Sequence, residues 1–167
     1  MDEAQRAAAE LKELIESGMN KKAIRYYHHL MGMIELKREN FSKAVEFFKR
    51  GISLLQYQCH SDYTQWLTPD SHALFMEHLA LAYYRMGDLD KAQEEYEKIT
   101  SLSSGRLYYG DIYAKSFYML GKVYEQQGDT AEAIEHYEKF LSLWKDADPG
   151  ITELEDAKER VVGLRGQ

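Results

Sequence analysis

Apolar residues recur along this sequence at intervals of three and four, which is the spacing of one buried face of an α-helix. Ala133, Tyr137 and Leu141 follow this spacing, with acidic residues between them. Only two prolines interrupt the chain, Pro69 and Pro149, so long helices can run between them. The pattern predicts an all-α protein with helices near 3–17, 21–38, 41–58, 69–86, 89–102, 108–127, 130–146 and 151–165.

Three segments of the chain repeat one another in the same register. Each segment carries a small residue, a larger residue three positions later, an alanine nine positions beyond that, and an aromatic residue four positions further. Three copies in one register argue against coincidence. The aligned positions are Gly32, Glu35, Ala44 and Phe48, then Ala80, Tyr83, Ala92 and Tyr96, then Gly121, Tyr124, Ala133 and Tyr137.

Each copy has a turn of matching chemistry between its two helices. Gly87 and Gly128 can take the left-handed conformation that ends a helix. Glu39 stands where the other copies have glycine, so the first turn is expected to be the most strained. The residue that follows can accept a hydrogen bond from the next helix, which predicts N-cap residues at Asn40, Asp88 and Asp129.

The small residue of each copy is expected to face its alanine across the helix pair, as Gly121 would face Ala133. Small side chains there let two helix axes approach closely, and the aromatic residues then fill the space beside the contact. In the first copy Glu35 replaces an aromatic residue, so Ile34 and Leu36 are expected to supply the core. The pattern predicts an antiparallel helical hairpin, repeated and stacked.

This spacing of small, aromatic, alanine and aromatic positions resembles the tetratricopeptide repeat. The resemblance implies a right-handed solenoid of three helical hairpins with flanking capping helices, in one domain, 1–167. Repeats would cover 21–58, 69–104 and 107–146, between an N-terminal cap at 1–20 and a C-terminal cap at 149–167. The third copy matches best, through Phe117, Leu120, Gly121, Tyr124, Gly128, Asp129, Ala133, Tyr137 and Leu141.

The stretch 105–129 is also similar to the C-terminal repeat regions of large bacterial signalling proteins. In those proteins such repeats follow kinase, winged-helix or propeller-like domains, so this resemblance implies a regulatory part of a bacterial signalling protein. The surplus residues between copies lie in 56–70 and 101–113, which are rich in aromatic residues and are predicted to form longer helices with structured loops. Thr68-Pro69 and Asp148-Pro149 each predict the start of a helix.

Two apolar stripes flank the repeats. A stacked array exposes an apolar face at each end, and a terminal helix with such a stripe can cover it. The same stripes can instead contact another copy of the chain. The N-terminal stripe is Ala7, Leu11, Leu14 and Ile15, and the C-terminal stripe is Ile151, Leu154, Ala157, Val161 and Leu164.

The charge of the chain excludes one class of partner. Its formal net charge of −7 opposes binding to a nucleic-acid backbone. The charge is unevenly distributed, with eight Lys/Arg against three Asp/Glu in 21–51, and eleven Asp/Glu against five Lys/Arg in 124–167. This asymmetry fits either solvated helix faces or a polarised surface that orients a partner or stacks copies end to end.

No segment has the length of a membrane span, since the longest apolar run is 79–84 and a span needs about 20 residues. The opening residues are charged and alanine-rich, so no secretory signal is predicted. Cys59 is the single cysteine, which favours a reducing compartment. These features predict a cytoplasmic protein.

The sequence contains no phosphate-cradling glycine loop, nucleophile elbow or zinc-ligand pair. His28 and His29 are neighbours and point to different faces of a helix, so they cannot chelate one ion together. Cys59-His60 lacks a second Cys/His cluster at ligand spacing, and Cys59 is expected to pack as a small apolar group. The sequence therefore predicts no enzyme activity, no bound metal and no cofactor.

The tetratricopeptide resemblance implies that the first helix of each hairpin lines a concave surface that binds a protein or peptide. Aromatic bodies with polar tips, flanked by Lys and Arg, suit such recognition, and the cations favour an acidic segment. These residues can instead be ordinary exposed or inter-helix residues, and the alternative function is self-association that oligomerises a parent protein. The predicted binding residues are Tyr26, His29, Met33 and Lys37, then Leu74, Glu77, Leu81, Tyr84 and Arg85, then Lys115, Tyr118, Lys122 and Glu125.

Overall fold

The computed structural model describes residues 3–55, 72–102, 109–148 and 150–166. These residues form α-helices joined by turns, and no strand occurs among them, as the apolar periodicity predicts. A short 3₁₀ turn, Lys21–Ala23, precedes the second helix. The helices are α1 (Glu3–Ser17), α2 (Ile24–Lys37), α3 (Phe41–Ser53), α4 (His72–Met86), α5 (Leu89–Ser101), α6 (Gly110–Gln127), α7 (Thr130–Leu143) and α8 (Thr152–Arg165).

Several expectations concern residues outside the described ranges. They include the aromatic segment 56–70 with its predicted helix start at Thr68-Pro69, the Cys59-His60 pair and the stretch 103–108. The helix start predicted at Asp148-Pro149 is wrong, because the last helix begins at Thr152 with Ile151 as its N-cap. The third hairpin begins and ends slightly inside its expected bounds, at Gly110 and Leu143.

The chain forms two compact units, Met1–Asp88 and Leu89–Gln167. In the first unit α2 packs against α3, α3 against α4, and α1 against α2. In the second unit α5 packs against α6, α6 against α7, and α7 against α8. The first and third hairpins, α2–α3 and α6–α7, thus each lie within one unit. The assignment of both units to one domain, with the repeat boundaries given above, stays a prediction.

The turns that end α2, α4 and α6 share one backbone pattern. The N–H groups of Asn40, Asp88 and Asp129 donate to the carbonyl groups five residues earlier, at 2.9, 3.0 and 2.8 Å. Gly87 and Gly128 take positive φ angles of 83° and 85° there. Glu39 takes a φ of 62° at the same place, which costs a non-glycine residue about 1 kcal/mol. The expectation of a strained first turn is therefore confirmed.

The predicted N-cap role of Asn40 and Asp129 is wrong in its detail, because neither side chain makes a cap hydrogen bond. The Asn40 amide instead donates from Nδ2 to Oε2 of Glu35 at 2.9 Å. Arg38 donates to the other oxygen of Glu35 at 3.2 Å. Glu35 is itself buried beside Ile34, so the first copy replaces the aromatic residue with a hydrogen-bonded carboxylate.

In the first and third hairpins, the nearest neighbour of the repeat's glycine is an aromatic ring and not the alanine that the sequence predicted. A Cβ atom added to Gly32 would lie 2.5 Å from the Phe48 ring, and one added to Gly121 would lie 2.6 Å from the Tyr137 ring. Ala133, with no exposed surface, lies in the same buried cluster as Tyr137. The glycines are required because the ring of the second helix lies directly on the backbone of the first.

The two terminal helices differ in how well their stripes were predicted. The C-terminal stripe packs as expected, with Ala157 and Val161 buried against α7. On α1, Ile15 is buried, but the expected Leu14 is 70% exposed. The face that packs on α2 is rotated relative to the prediction, and buries Ala8 in place of Ala7.

Candidate functional site

The first helices of two successive copies, α2 and α4, lie side by side in the first unit. The Tyr26 and Phe75 rings are 5.9 Å apart between centroids, and the His29 and His78 rings are 4.8 Å apart. Phe75 follows Tyr26 in the sequence by the same number of positions as His78 follows His29. The two helices therefore run parallel. Parallel neighbours with this register bring the predicted binding residues of α2 and α4 onto adjacent helices.

We call this surface the α2–α4 face. Tyr26 and Met33 are 43% and 41% exposed, which is high for large apolar side chains. Lys37 and Arg85 are exposed, and the remaining predicted residues of α4 are half-buried. The α2–α4 face consists of Tyr26, Met33, Lys37, Leu74, Glu77, Leu81, Tyr84 and Arg85.

Arg25 joins this face, and sequence reasoning did not include it. Its guanidinium lies over the Tyr26 ring, 4.6 Å from the centroid. It also donates from Nη2 to the Tyr26 hydroxyl at 3.2 Å. The only signal in the sequence was a basic residue next to Tyr26, and adjacency along a helix does not by itself predict contact.

His29 does not lie on the binding surface, contrary to the prediction. It is 8% exposed, and its ring contacts Phe75 and Phe48 at centroid distances of 4.5 and 5.5 Å. Its Nδ1 atom is buried and has no hydrogen-bond partner among the described residues. The neighbouring His78 uses its own Nδ1–H to donate to the Leu74 carbonyl at 3.1 Å. His29 is therefore a core residue where α2, α3 and α4 meet.

Burial makes His29 sensitive to pH. Loss of hydration, followed by repulsion from His78, lowers its pKa to about 4 from an ordinary value of 6.5. The imidazole therefore stays neutral in the folded protein at pH values where the unfolded chain is protonated.

Folding stability is expected to fall as pH decreases from about 6.5 to about 4. In this window the unfolded chain binds a proton at His29 that the folded chain excludes, which costs about 3 kcal/mol by pH 4. Urea unfolding at a series of pH values measures the effect. His29→Leu should reduce the slope of the unfolding free energy against pH, by an amount that corresponds to at most one bound proton. Phe48→Leu, which weakens the same core without removing a titrating group, should keep the wild-type slope. If His29→Leu has the same slope as the wild type, His29 is not the group that causes the pH dependence.

In the second unit, the predicted residues of α6 contact the C-terminal helix α8. Lys115 forms an ion pair with Glu153 at 3.7 Å. The Tyr118 hydroxyl donates to Oδ2 of Asp156 at 2.7 Å. Glu125 accepts a hydrogen bond from Nη1 of Arg160 at 2.9 Å, and the ammonium group of Lys122 lies 5.4 Å from the Tyr118 ring centroid.

Tyr118 is 8% exposed and so is not available to a partner in the way that the sequence predicted. Its ring packs on Phe140 and Tyr137 of α7, at centroid distances of 5.4 and 6.0 Å. Burial and the hydrogen bond to Asp156 raise the pKa of the Tyr118 hydroxyl well above its usual range. Its hydroxyl therefore remains a donor that helps to hold α8.

Arg160 links the charged groups of this cluster. It donates from Nε to Asp156 at 2.6 Å as well as to Glu125, which also accepts from the Tyr137 hydroxyl at 2.7 Å. Burial alone would raise the pKa of Asp156, but hydrogen bonds from Arg160 and Tyr118 lower it. The two lysines of α6 are also close to acids of α8, Lys115 to Glu153 and Lys122 to Asp156. Asp156 and Arg160 stand four residues apart, a spacing that predicts an ion pair on one helix but not the contact with α6.

Within the described ranges, no helix is long and apolar enough to cross a membrane. Those same ranges bring no three His, Cys, Asp or Glu side chains together in a geometry suited to a metal ion.

The helices described above define a class of protein, the helical-repeat scaffolds that stack hairpins. Residues 71–146 match the family model described as Tetratricopeptide repeat. The match confirms the resemblance to the tetratricopeptide repeat over these residues. Repeats of this type are generally protein–protein interaction modules and typically non-catalytic.

Solved structures share the fold, including the following two. The crystal structure of BtubC (BKLC) from P. vanneervenii superposes with a TM-score of 0.61 at 21% identity, covering 96% of this chain and 59% of that one. A TPR-like protein from Chlorobium tepidum TLS superposes with a TM-score of 0.60 at 15% identity, covering 86% of this chain and 96% of that one. This chain thus spans 59% of the length of BtubC. No curated protein matches the sequence significantly.

Proposed function

We propose that this chain binds a segment of a partner protein on the α2–α4 face. The observation that supports the proposal is the exposure of Tyr26 and Met33, at 43% and 41%, about two turns apart on one side of α2. Large apolar side chains left exposed on a rigid helical scaffold mark interaction sites, and methionine adapts to irregular partners. Tyrosine supplies contact area at a low cost in conformational entropy.

The charges around these side chains favour an acidic segment. Arg25 lies over the Tyr26 ring, and exposed Lys37 and Arg85 flank the apolar positions. Glu77 is the local opposing charge. A segment with acidic residues beside an apolar anchor would satisfy both features, whether it binds as a helix or as an extended strand.

Charge reversal on this face should weaken partner binding. Lys37→Glu is expected to reduce the amount of partner recovered in a pull-down with the immobilised chain, and Met33→Asp is expected to reduce it further because it removes apolar contact as well. Hot-spot truncations typically cost about 2 kcal/mol, or roughly thirtyfold in affinity. Binding by the wild-type chain should also weaken with increasing salt.

Matched controls lie on other surfaces of the first unit. Lys43→Glu reverses an exposed cation on α3, and Leu14→Asp replaces a 70% exposed leucine on α1. Both should retain the partner at the wild-type level. Equal recovery of the partner by all four variants and the wild type would place the binding site elsewhere.

Exposed apolar residues on the terminal helices favour self-association as a second candidate function. Val162 on α8 is 73% exposed, and Leu14 on α1 is 70% exposed. If α8 contacts a second copy, light scattering should detect a dimer that Val162→Asp dissociates. Leu154→Asp is a poor test, because Leu154 packs against the core around Tyr137 and its loss would also detach α8. A monomer at all accessible concentrations would exclude this function.

We further propose that the chain acts in the cytoplasm as a regulatory part of a bacterial signalling protein. The similarity of 105–129 to the repeat regions of such proteins supports this setting, and the single cysteine fits a reducing compartment.

A further inference from the structure

All four predicted binding residues on α6 face groups that the chain itself supplies. Lys115 pairs with Glu153, Tyr118 with Asp156, and Glu125 with Arg160. The charge of Lys122 also acts on Asp156, whose pKa it helps to lower. The α8 helix therefore covers the side of α6 on which the sequence predicted binding residues.

The residues of α8 that make these contacts share one side of the helix. Glu153, Asp156 and Arg160 are spaced by three and four, and Ala157 and Val161 follow the same side into the core formed by α6 and α7. The α8 helix is therefore an acidic amphipathic segment, in which the basic Arg160 follows Asp156 by about one turn. Its mode of docking, with apolar anchors beside charged pairs, is the mode expected of a partner helix in a groove.

The attachment of α8 is weak for a helix of its length. Ala157 and Val161 are the buried apolar side chains on it, and Leu154 and Leu164 are only partly buried against the same core. The Arg160–Glu125 pair has partners that are 32% and 28% exposed, and the Lys115–Glu153 pair has partners that are 39% and 33% exposed. Ion pairs with partners this exposed contribute little to stability. A helix of 14 residues is only marginally stable once detached.

We infer that α8 is a replaceable cover for the α6–α7 surface, and that an acidic amphipathic helix of a partner protein binds there in exchange for it. The partner helix carries acids at the positions of Glu153 and Asp156 and small apolar residues at the positions of Ala157 and Val161. This inference rests on the proposed interaction function and adds a second site, in the other unit, with its own regulation. Because the cover is tethered, it competes at a high effective concentration and keeps the site closed to weak ligands.

The test uses the full chain and a fluorescein-labelled synthetic peptide with the sequence of residues 150–166 as the probe. Fluorescence anisotropy measures its affinity for the wild-type chain and for Asp156→Ala/Arg160→Ala, in which the tethered helix is loosened. The probe retains both residues, so it should bind the loosened chain at least tenfold more tightly than the wild type. Equal affinities for the two chains would overturn the inference.

A matched control removes one acid and one base from the exposed side of the same helix. Lys158→Ala/Glu159→Ala changes charge and helix composition in the same way, and should bind the probe like the wild type. In the loosened chain, Lys115→Glu should lower the affinity about threefold, and a probe carrying Glu153→Lys should restore it. Failure of this charge exchange would show that the probe binds elsewhere and would also overturn the inference.

Hydrogen exchange of the wild-type chain keeps the test valid if the loosened variant does not fold. Amides of α8 should exchange at least tenfold faster than those of α6 and α7, and equal protection would contradict a replaceable cover. A concentration-dependent dimer that persists in the Val162→Asp variant would overturn the choice of occupant, because it would identify the α8 helix of a second copy as the helix that binds there. Lys37→Glu on the α2–α4 face should leave all probe affinities unchanged, so failure of the proposed function there is distinguishable from failure here.

Discussion

Replacing Ala133 with glutamate is expected to lower the free energy of unfolding by about 4 kcal/mol or more. Ala133 has no exposed surface and lies in the cluster with Tyr137 and Phe140, where a carboxylate would have neither water nor a partner. A long side chain would also force apart helices that approach closely enough to require Gly121. Urea denaturation followed by circular dichroism measures the loss.

The control for this substitution is two residues away on the same helix. Ala131 is exposed on α7, so Ala131→Glu adds the same charge at nearly the same place in the sequence, and should change stability by about 0.5 kcal/mol or less. An unfolding curve for Ala133→Glu that matches that of Ala131→Glu would show that the helical register is wrong.

Phe48→Ala is expected to destabilise the first unit by about 3–5 kcal/mol. The Phe48 ring is fully buried, lies against Gly32 and contacts His29 at a centroid distance of 5.5 Å. Its removal would leave a cavity between α2 and α3, beneath the helix that carries Tyr26 and Met33. The partner binding that we propose for the α2–α4 face should therefore weaken together with stability.

The neighbouring Phe47 provides the comparison. It is half-buried, so Phe47→Ala should cost less than half as much in the same denaturation experiment. Equal losses for the two variants would mean that the ring of Phe48 is not the one that fills the contact with Gly32.

Most of the fold was predictable because it depends on local periodicity. A stripe of apolar residues at intervals of three and four has one face to bury, so Ala133 and Tyr137 could be assigned to the core before their neighbours were known. The strained turn at Glu39 was predictable from its alignment with Gly87 and Gly128. This type of helix end requires a positive φ whichever residue occupies the position.

The candidate site was predicted less completely, because spacing identifies a side of a helix but not what packs on that side. Met33 and Lys37 are exposed on α2, as predicted. His29 belongs to the same stripe, yet Phe75 of the next first helix covers it. Tyr118 likewise belongs to the predicted stripe of α6, and α8 covers it through Asp156.

The sequence alone therefore determined the helices, their hairpin pairing and the chemical character of each helix side, because each of these depends on residues a few positions apart. Only the tertiary structure decided which of those sides remain open to a partner. That choice depends on contacts such as Glu125–Arg160 and His29–Phe75, which join residues far apart in the chain. Tyr26 and Met33 remain exposed on α2, whereas Tyr118 of α6 is buried, because there the chain itself supplies the acidic helix that covers it.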